Sequence, residues 1–98
     1  MSAGSQDQNQ NITWLNKKRA VIMLLGNKGD VNGLVMMLEK ESDQRILLQI
    51  IGTLGSLGRV ECIDPLRKFI RSNPDPVLQV AAESSIETIN KISSYGSE

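Results

Sequence analysis

Few residues in this chain have the chemistry of a catalyst, and their spacing does not gather them. The 98 residues include no histidine, which removes serine-histidine and cysteine-histidine nucleophile pairs, imidazole metal ligands and the commonest general base. A single cysteine, Cys62, excludes an internal disulfide and the cysteine-rich zinc sites, and reads as a small core residue in a reducing compartment. Two carboxylate pairs stand four residues apart, Glu39 with Asp43 and Glu83 with Glu87. Such a pair can do acid-base work, but on solvent-facing helices the simpler reading is a hydrated surface. The glycines follow no strand signal and precede no lysine-serine or lysine-threonine, so they do not read as a phosphate loop. The chain is expected not to be an enzyme and to use no metal or cofactor.

Basic residues form two clusters, Lys17-Lys18-Arg19 and Arg67, Lys68 and Arg71. Lysine and arginine total 11 and aspartate and glutamate 11, so no net field draws the chain to nucleic acid or anionic lipid. With one Trp, one Tyr and one Phe there is little surface for stacking bases, and both clusters read as solvated helix faces.

The elements that carry these residues are helices. Residues 1–11 are polar, lack the apolar stretch of a signal peptide and the arginines of a transit peptide, and are expected to be a disordered tail of a cytoplasmic protein. Residues 12–93 form the expected domain, and 94–98 a frayed end. In the first helix, about Thr13 to Gly26, Ile12, Leu15, Val21, Ile22, Leu24 and Leu25 make an apolar stripe, with Asn11 or Thr13 as cap and Gly26 and Gly29 as stop. Asp30 can cap a second helix, Val31 to Lys40, buried through Leu34, Met37 and Leu38. The short break at residues 41–43 implies an antiparallel neighbour. In the third helix, from Gln44 to Gly58, Ile46, Leu47, Ile50, Ile51, Leu54 and Leu57 span one wide arc, with Leu48 at its margin. A fourth helix has its body at Leu66 to Arg71 and begins either at an Asp64 cap or one turn earlier. Asp75 followed by Pro76 opens the last helix, to about Ile92, whose apolar face is Leu78, Ala81, Ala82, Ser85, Ile89 and Ile92.

Two registers bring the chain onto itself. Gly26-Asn27-Lys28-Gly29 falls on Gly55-Ser56-Leu57-Gly58 at an offset of 29, carrying Val21 onto Ile50 and Leu25 onto Leu54. Asp43 falls on Asp75 at an offset of 32, carrying Ile46 onto Leu78 and Ile50 onto Ala82. Periods near thirty with two helices per unit point to a helical solenoid, in which each pair buries its apolar face only by stacking on the next. Leu54-Gly55-Ser56-Leu57-Gly58 and Asp75-Pro76-Val77 to Ala81-Ala82-Glu83 resemble the helix end and the aspartate-proline turn of short HEAT-like repeats, the kind also found in phycobilin lyases. The resemblance covers about Lys17 to Ile92. It implies an all-α fold, an α-α superhelix of about five helices stacked with a right-handed sense. The arginine that usually follows the valine is absent: Leu47 and Gln79 stand there, with Arg45 displaced by two.

The resemblance also implies that second helices line an inner surface. That surface would display Arg19 and Met23, then Arg45, Leu48 and Gln49, then Val77 and Val80, so the expected role is a non-catalytic protein-protein interaction module, an adaptor or small scaffold subunit. Trp14 marks the open end of the stack, where it would lie as a lid on the core or be covered by another chain, including a second copy. The alternatives are an accessory, lyase-like protein holding a tetrapyrrole, as the resemblance allows, and a weak nucleic-acid binder.

Overall fold

In the computed structural model, which describes the backbone of residues 2–96 and the side chains of 13–94, five α-helices and a 3-10 turn follow one another, with no strand among the described residues. The helices are α1 (Ser2–Lys28), α2 (Val31–Lys40), α3 (Gln44–Leu57), α4 (Ile63–Ser72) and α5 (Pro76–Gly96), and the 3-10 turn, Val60–Cys62, leads into α4. The tail expected over residues 1–11, the stripe residue Ile12, and all of the end at 94–98 except Ser94 lie outside the described side chains.

Local chemistry accounts for each boundary. Thr13, a candidate cap, is an interior residue of α1. At the other end Gly29, at φ 69°, takes the left-handed conformation that suits glycine; its N–H donates to Gly26 O at 3.0 Å and that of Asp30 to Leu25 O at 2.9 Å, the paired bonds of a Schellman motif. Gly26, the other expected stop, stays inside the helix. Asp30 Oδ1 accepts from the Gly33 N–H at 2.9 Å and so caps α2, as expected. Asp43 does the same for α3 through the Arg45 and Ile46 amides, and Asp75 for α5 through the Val77 amide at 2.9 Å. Helix α3 closes on Gly58, at φ 68°. Helix α4 follows the earlier of the two starts, so Pro65 falls in its first turn, where no intrahelical bond is lost. Helix α5 outruns the expected end at Ile92 by one turn.

Helix α3 lies between α1 and α5, α2 packs on both α1 and α3, and α4 packs on α5 and reaches α2. The helices therefore form two layers, α1-α3-α5 and α2-α4. Ile46, Ile50, Ile51 and Leu54 of α3 have no exposed surface, and Leu47 is also buried, as the wide apolar arc requires. Leu57, in the same arc, is half-buried, as is Leu48 at its margin. Helix α2 buries Val31, Leu34 and Leu38, α4 buries Leu66 and Phe69, and α5 buries Leu78, Ala82, Ser85 and Ile89. Two expectations for α1 fail: Val21 and Leu24 are exposed rather than core. Neighbours cover α1 on only two sides, so its stripe narrows to buried Ile22 with half-buried Leu15 and Leu25. Ile92 is also exposed rather than core, lying against Gly58, the cap that ends α3.

The two contacts within the longer layer are made alike. A β-carbon on Gly26 would stand 2.7 Å from Thr53 Cγ2, and one on Gly55 would stand 2.7 Å from Ser85 Oγ and 3.1 Å from the Ser85 Cα. Glycine lets a hydroxyl residue of the next helix approach the backbone in both places. The Thr53 hydroxyl is satisfied within its own helix, Oγ1 donating to Gln49 O at 2.8 Å, whereas the buried Ser85 Oγ donates across the interface to Ile51 O at 2.9 Å. Gln44 Nε2 also donates to Asp75 Oδ2 at 2.8 Å and ties the start of α3 to the start of α5.

Gly55→Ala is expected to lower unfolding free energy by about 1–3 kcal/mol, since the Ser85 backbone must move. Gly52→Ala, with open space around the new methyl, should leave stability unchanged or raise it by up to about 1 kcal/mol through helix propensity. Urea titrations followed by circular dichroism will distinguish the two. Ile50→Asp buries a carboxylate at the centre of three helices and is expected to abolish the cooperative melt of the whole chain.

Candidate functional site

The residues expected to form an inner surface all lie on α1, α3 and α5. Contacts with the other layer orient each helix: Leu25 approaches Gly33 of α2, and Gln79 Nε2 of α5 donates to Ile70 O of α4 at 3.4 Å. At about 100° per residue, Met23 on α1, Arg45, Leu48 and Gly52 on α3, and Val77, Val80 and Ser84 on α5 face away from that layer.

Their exposure divides them. Met23 is 62% exposed, Val77 53% and Val80 64%, so three large apolar side chains stand in water on the outer two helices. Leu48 is half-buried against the core, and Gln49 is held between helices, its Nε2 donating to Arg19 O at 3.2 Å. Arg19 and Arg45 are exposed. Arg45 bends back on its own helix cap, with its guanidinium forking onto Asp43 at 2.8 Å and 3.1 Å. That side-chain hydrogen bond, outweighing partial desolvation, takes the Asp43 carboxyl down to about 2 and raises the Arg45 guanidinium. The face is therefore apolar at its edges and half-filled at its centre.

Trp14 does not lie as a lid on the core. It is 44% exposed, and Lys18 Nζ sits 4.3 Å from its ring centroid. The same ammonium meets Glu41 Oε1 at 2.7 Å. Glu41 Oε2 in turn accepts from the Ser42 and Asp43 amides at 3.1 and 3.0 Å, and its side chain is only 6% exposed. Burial pushes the Glu41 carboxyl up, but the bonds from Lys18 and the two amides outweigh it and leave the group below its ordinary range. This cluster ties α1 to the α2–α3 connection. It was not legible in the sequence, where Lys18 sits in a basic run and Glu41 in a break, because the partners are 23 residues apart with no periodic relation.

The remaining chemical candidates stay apart. Glu83 and Glu87 are exposed on α5, and Arg67, Lys68 and Arg71 are exposed on α4. Cys62 is fully buried, and burial together with the Glu61 charge pushes its thiol up, so it stays protonated as a core residue. A cleft of about 260 Å³ between α2 and α4 is lined by Val35, Leu38, Phe69, Pro65 and Lys68, among others. A shallower one of about 370 Å³ lies beside Met36 and Met37. Among the described residues no group of three or more acidic, cysteine or histidine side chains is placed to hold a metal ion. Nor is any described helix long and apolar enough to cross a membrane.

No family model matches the chain, and no curated protein or solved structure matches it.

Both depressed carboxyls stabilise the fold most fully above their unfolded values, near pH 4, and lose that contribution as pH falls through the folded ones. Melting temperature is expected to fall between about pH 4 and about pH 2. Glu41→Gln should lower stability by about 1–2 kcal/mol at neutral pH and flatten this acid limb, as read by melts across pH.

Proposed function

We propose that this chain is a non-catalytic protein-interaction module, an adaptor or small scaffold subunit, built as a short HEAT-like solenoid and engaging its partner through the face of α1, α3 and α5 that turns away from α2 and α4. The observation that carries this reading is the exposure of Met23, Val77 and Val80 on one face of a single layer. Burying three such side chains in a complex would release roughly 1.5–3 kcal/mol each before the costs of association. Once the costs of association are counted, these three side chains alone fall short of a micromolar affinity, so polar and charged contacts around them must add to it.

The stacking reading rests on the repeated close approach of a glycine to a small side chain of the next helix, Gly26 to Thr53 and Gly55 to Ser85, and on the tie from Gln44 to Asp75. Successive equivalent helices then lie side by side, and their equivalent faces form one surface. Arg19 and Arg45 at its border would favour a partner segment that mixes apolar and acidic residues. A tetrapyrrole site, the lyase-like alternative, would need a pocket with convergent polar groups on this face. Both clefts lie instead beside α2.

Purified chain immobilised on resin should capture a defined partner from cell extract, and Met23→Asp with Val80→Asp should weaken that capture at least about tenfold while leaving the melting curve unchanged. Both positions are exposed, so folding is spared; Leu48, half-buried, is a poor choice for the same test. Retention of the same partner by the folded double variant would remove this face as the binding surface.

A further inference from the structure

The two outer helices of the longer layer each have a second free face, distinct from the inner surface, and the two carry opposite charge. On α1 the contacts of Arg19 with Gln49 and of Gly26 with Thr53 mark the side toward α3. The arc opposite carries Lys17, Val21, Leu24 and Lys28, with Trp14 at its edge, all exposed. Between Thr13 and Lys28 every charged residue of α1 is basic. On α5 the contacts of Ser85 with Ile51 and Gly55, and of Ile92 with Gly58, mark the side toward α3. The arc opposite carries Glu83, Glu87 and Asn90, all exposed, with Val80 at its border with the inner surface.

We propose that copies of this chain associate head to tail, the free face of α1 in one copy docking on the free face of α5 in the next. The inference rests on the reading of α1, α3 and α5 as successive equivalent ribs, and not on the inner face. The register supports it. Gly26 and Gly55 hold equivalent places, as do Thr53 and Ser85, and the residues equivalent to these on the free faces are Glu87 of α5 and Leu24 of α1. Contacts between neighbouring ribs advance in the same direction along both helices, Arg19 with Gln49 and then Gly26 with Thr53. Continued to a second copy, that direction sets Glu83 and Glu87 at levels between Lys17 and Lys28, with Leu24 and Val21 against the aliphatic part of Glu87 and Val80. Lys91, the basic residue in this part of α5, lies round toward the inner surface.

Glu87 stands where α1 and α3 have glycine, so the contact between copies is wider than the internal ones and depends more on charge. The part of α1 whose side chains are described, residues 13–28, is about 24 Å long, and a single helix-on-helix contact of that length falls well short of the roughly 800 Å² per partner of a stable complex. The association is therefore weak and salt-sensitive. Because the two faces differ, the contact is heterologous, and it extends to further copies unless its rotation closes a ring.

Sedimentation velocity of the full chain tests this between about 10 μM and about 1 mM, at low salt and at about 0.5 M salt. The average mass should rise with concentration at low salt and fall back toward the monomer at high salt. Lys17→Glu with Lys28→Glu in one variant, and Glu83→Lys with Glu87→Lys in another, should each remain monomeric. Mixing the two should restore association, since each head then meets a tail of opposite charge. That recovery also establishes that both variants are folded, and circular dichroism checks each alone. A wild-type chain that stays monomeric at about 1 mM and low salt overturns the proposal. So does association that survives the α5 exchange, which would indicate a symmetric contact through α1. Neither result touches the inner face, whose test uses different residues.

Discussion

Helix α3 is covered by helices on three sides, and this requirement organises the molecule. With Ile46, Ile50, Ile51 and Leu54 wholly buried, it cannot be stable in water without α1, α2 and α5 around it. A single helical hairpin would leave half of that surface wet. The approach of α5 is close because Gly55 has no side chain and Ser85, small and with its hydroxyl bonded to the Ile51 carbonyl, fits against it. Gly26 and Thr53 repeat the arrangement toward α1. Two large side chains at either place would push the ribs apart and open the core between them.

The same requirement explains what is left exposed. A rib with neighbours on both sides hides nearly all its apolar residues; a rib with one neighbour cannot. Val21, Leu24 and Trp14 on α1 stand in water because no other described helix packs on that side. Charge then distinguishes the two ends, basic at α1 and acidic at α5. Near the basic end, the Glu41 carboxylate holds Lys18 against Trp14 and the α2–α3 connection, so α1 is fastened by a charge-assisted bond as well as by packing.

Turn and cap chemistry was read directly from residue types. Asp30, Asp43 and Asp75 cap the helices that follow them, and Gly29 and Gly58 end α1 and α3 in the left-handed conformation, because each of these acts over three or four residues of backbone. The apolar arc of α3 was equally legible, since a helix buried on a wide face needs no partner to be named. Of the candidate surface, Met23, Val77 and Val80 are exposed, while Leu48 and Gln49 are partly taken up between helices. Periodicity places a residue on a face but does not say how near the next helix comes.

By itself, then, the sequence determined that the chain is helical, the aspartate caps of α2, α3 and α5, and the buried arc of α3, all of which follow from short-range backbone chemistry and the 3.6-residue period. Only the tertiary structure decided that Val21 and Leu24 are surface residues and that Glu41 reaches across to Lys18. It also decided that Gln44 meets Asp75. Those outcomes depend on which helix has a neighbour and on side chains 23 to 31 residues apart meeting in space, and no local pattern encodes either.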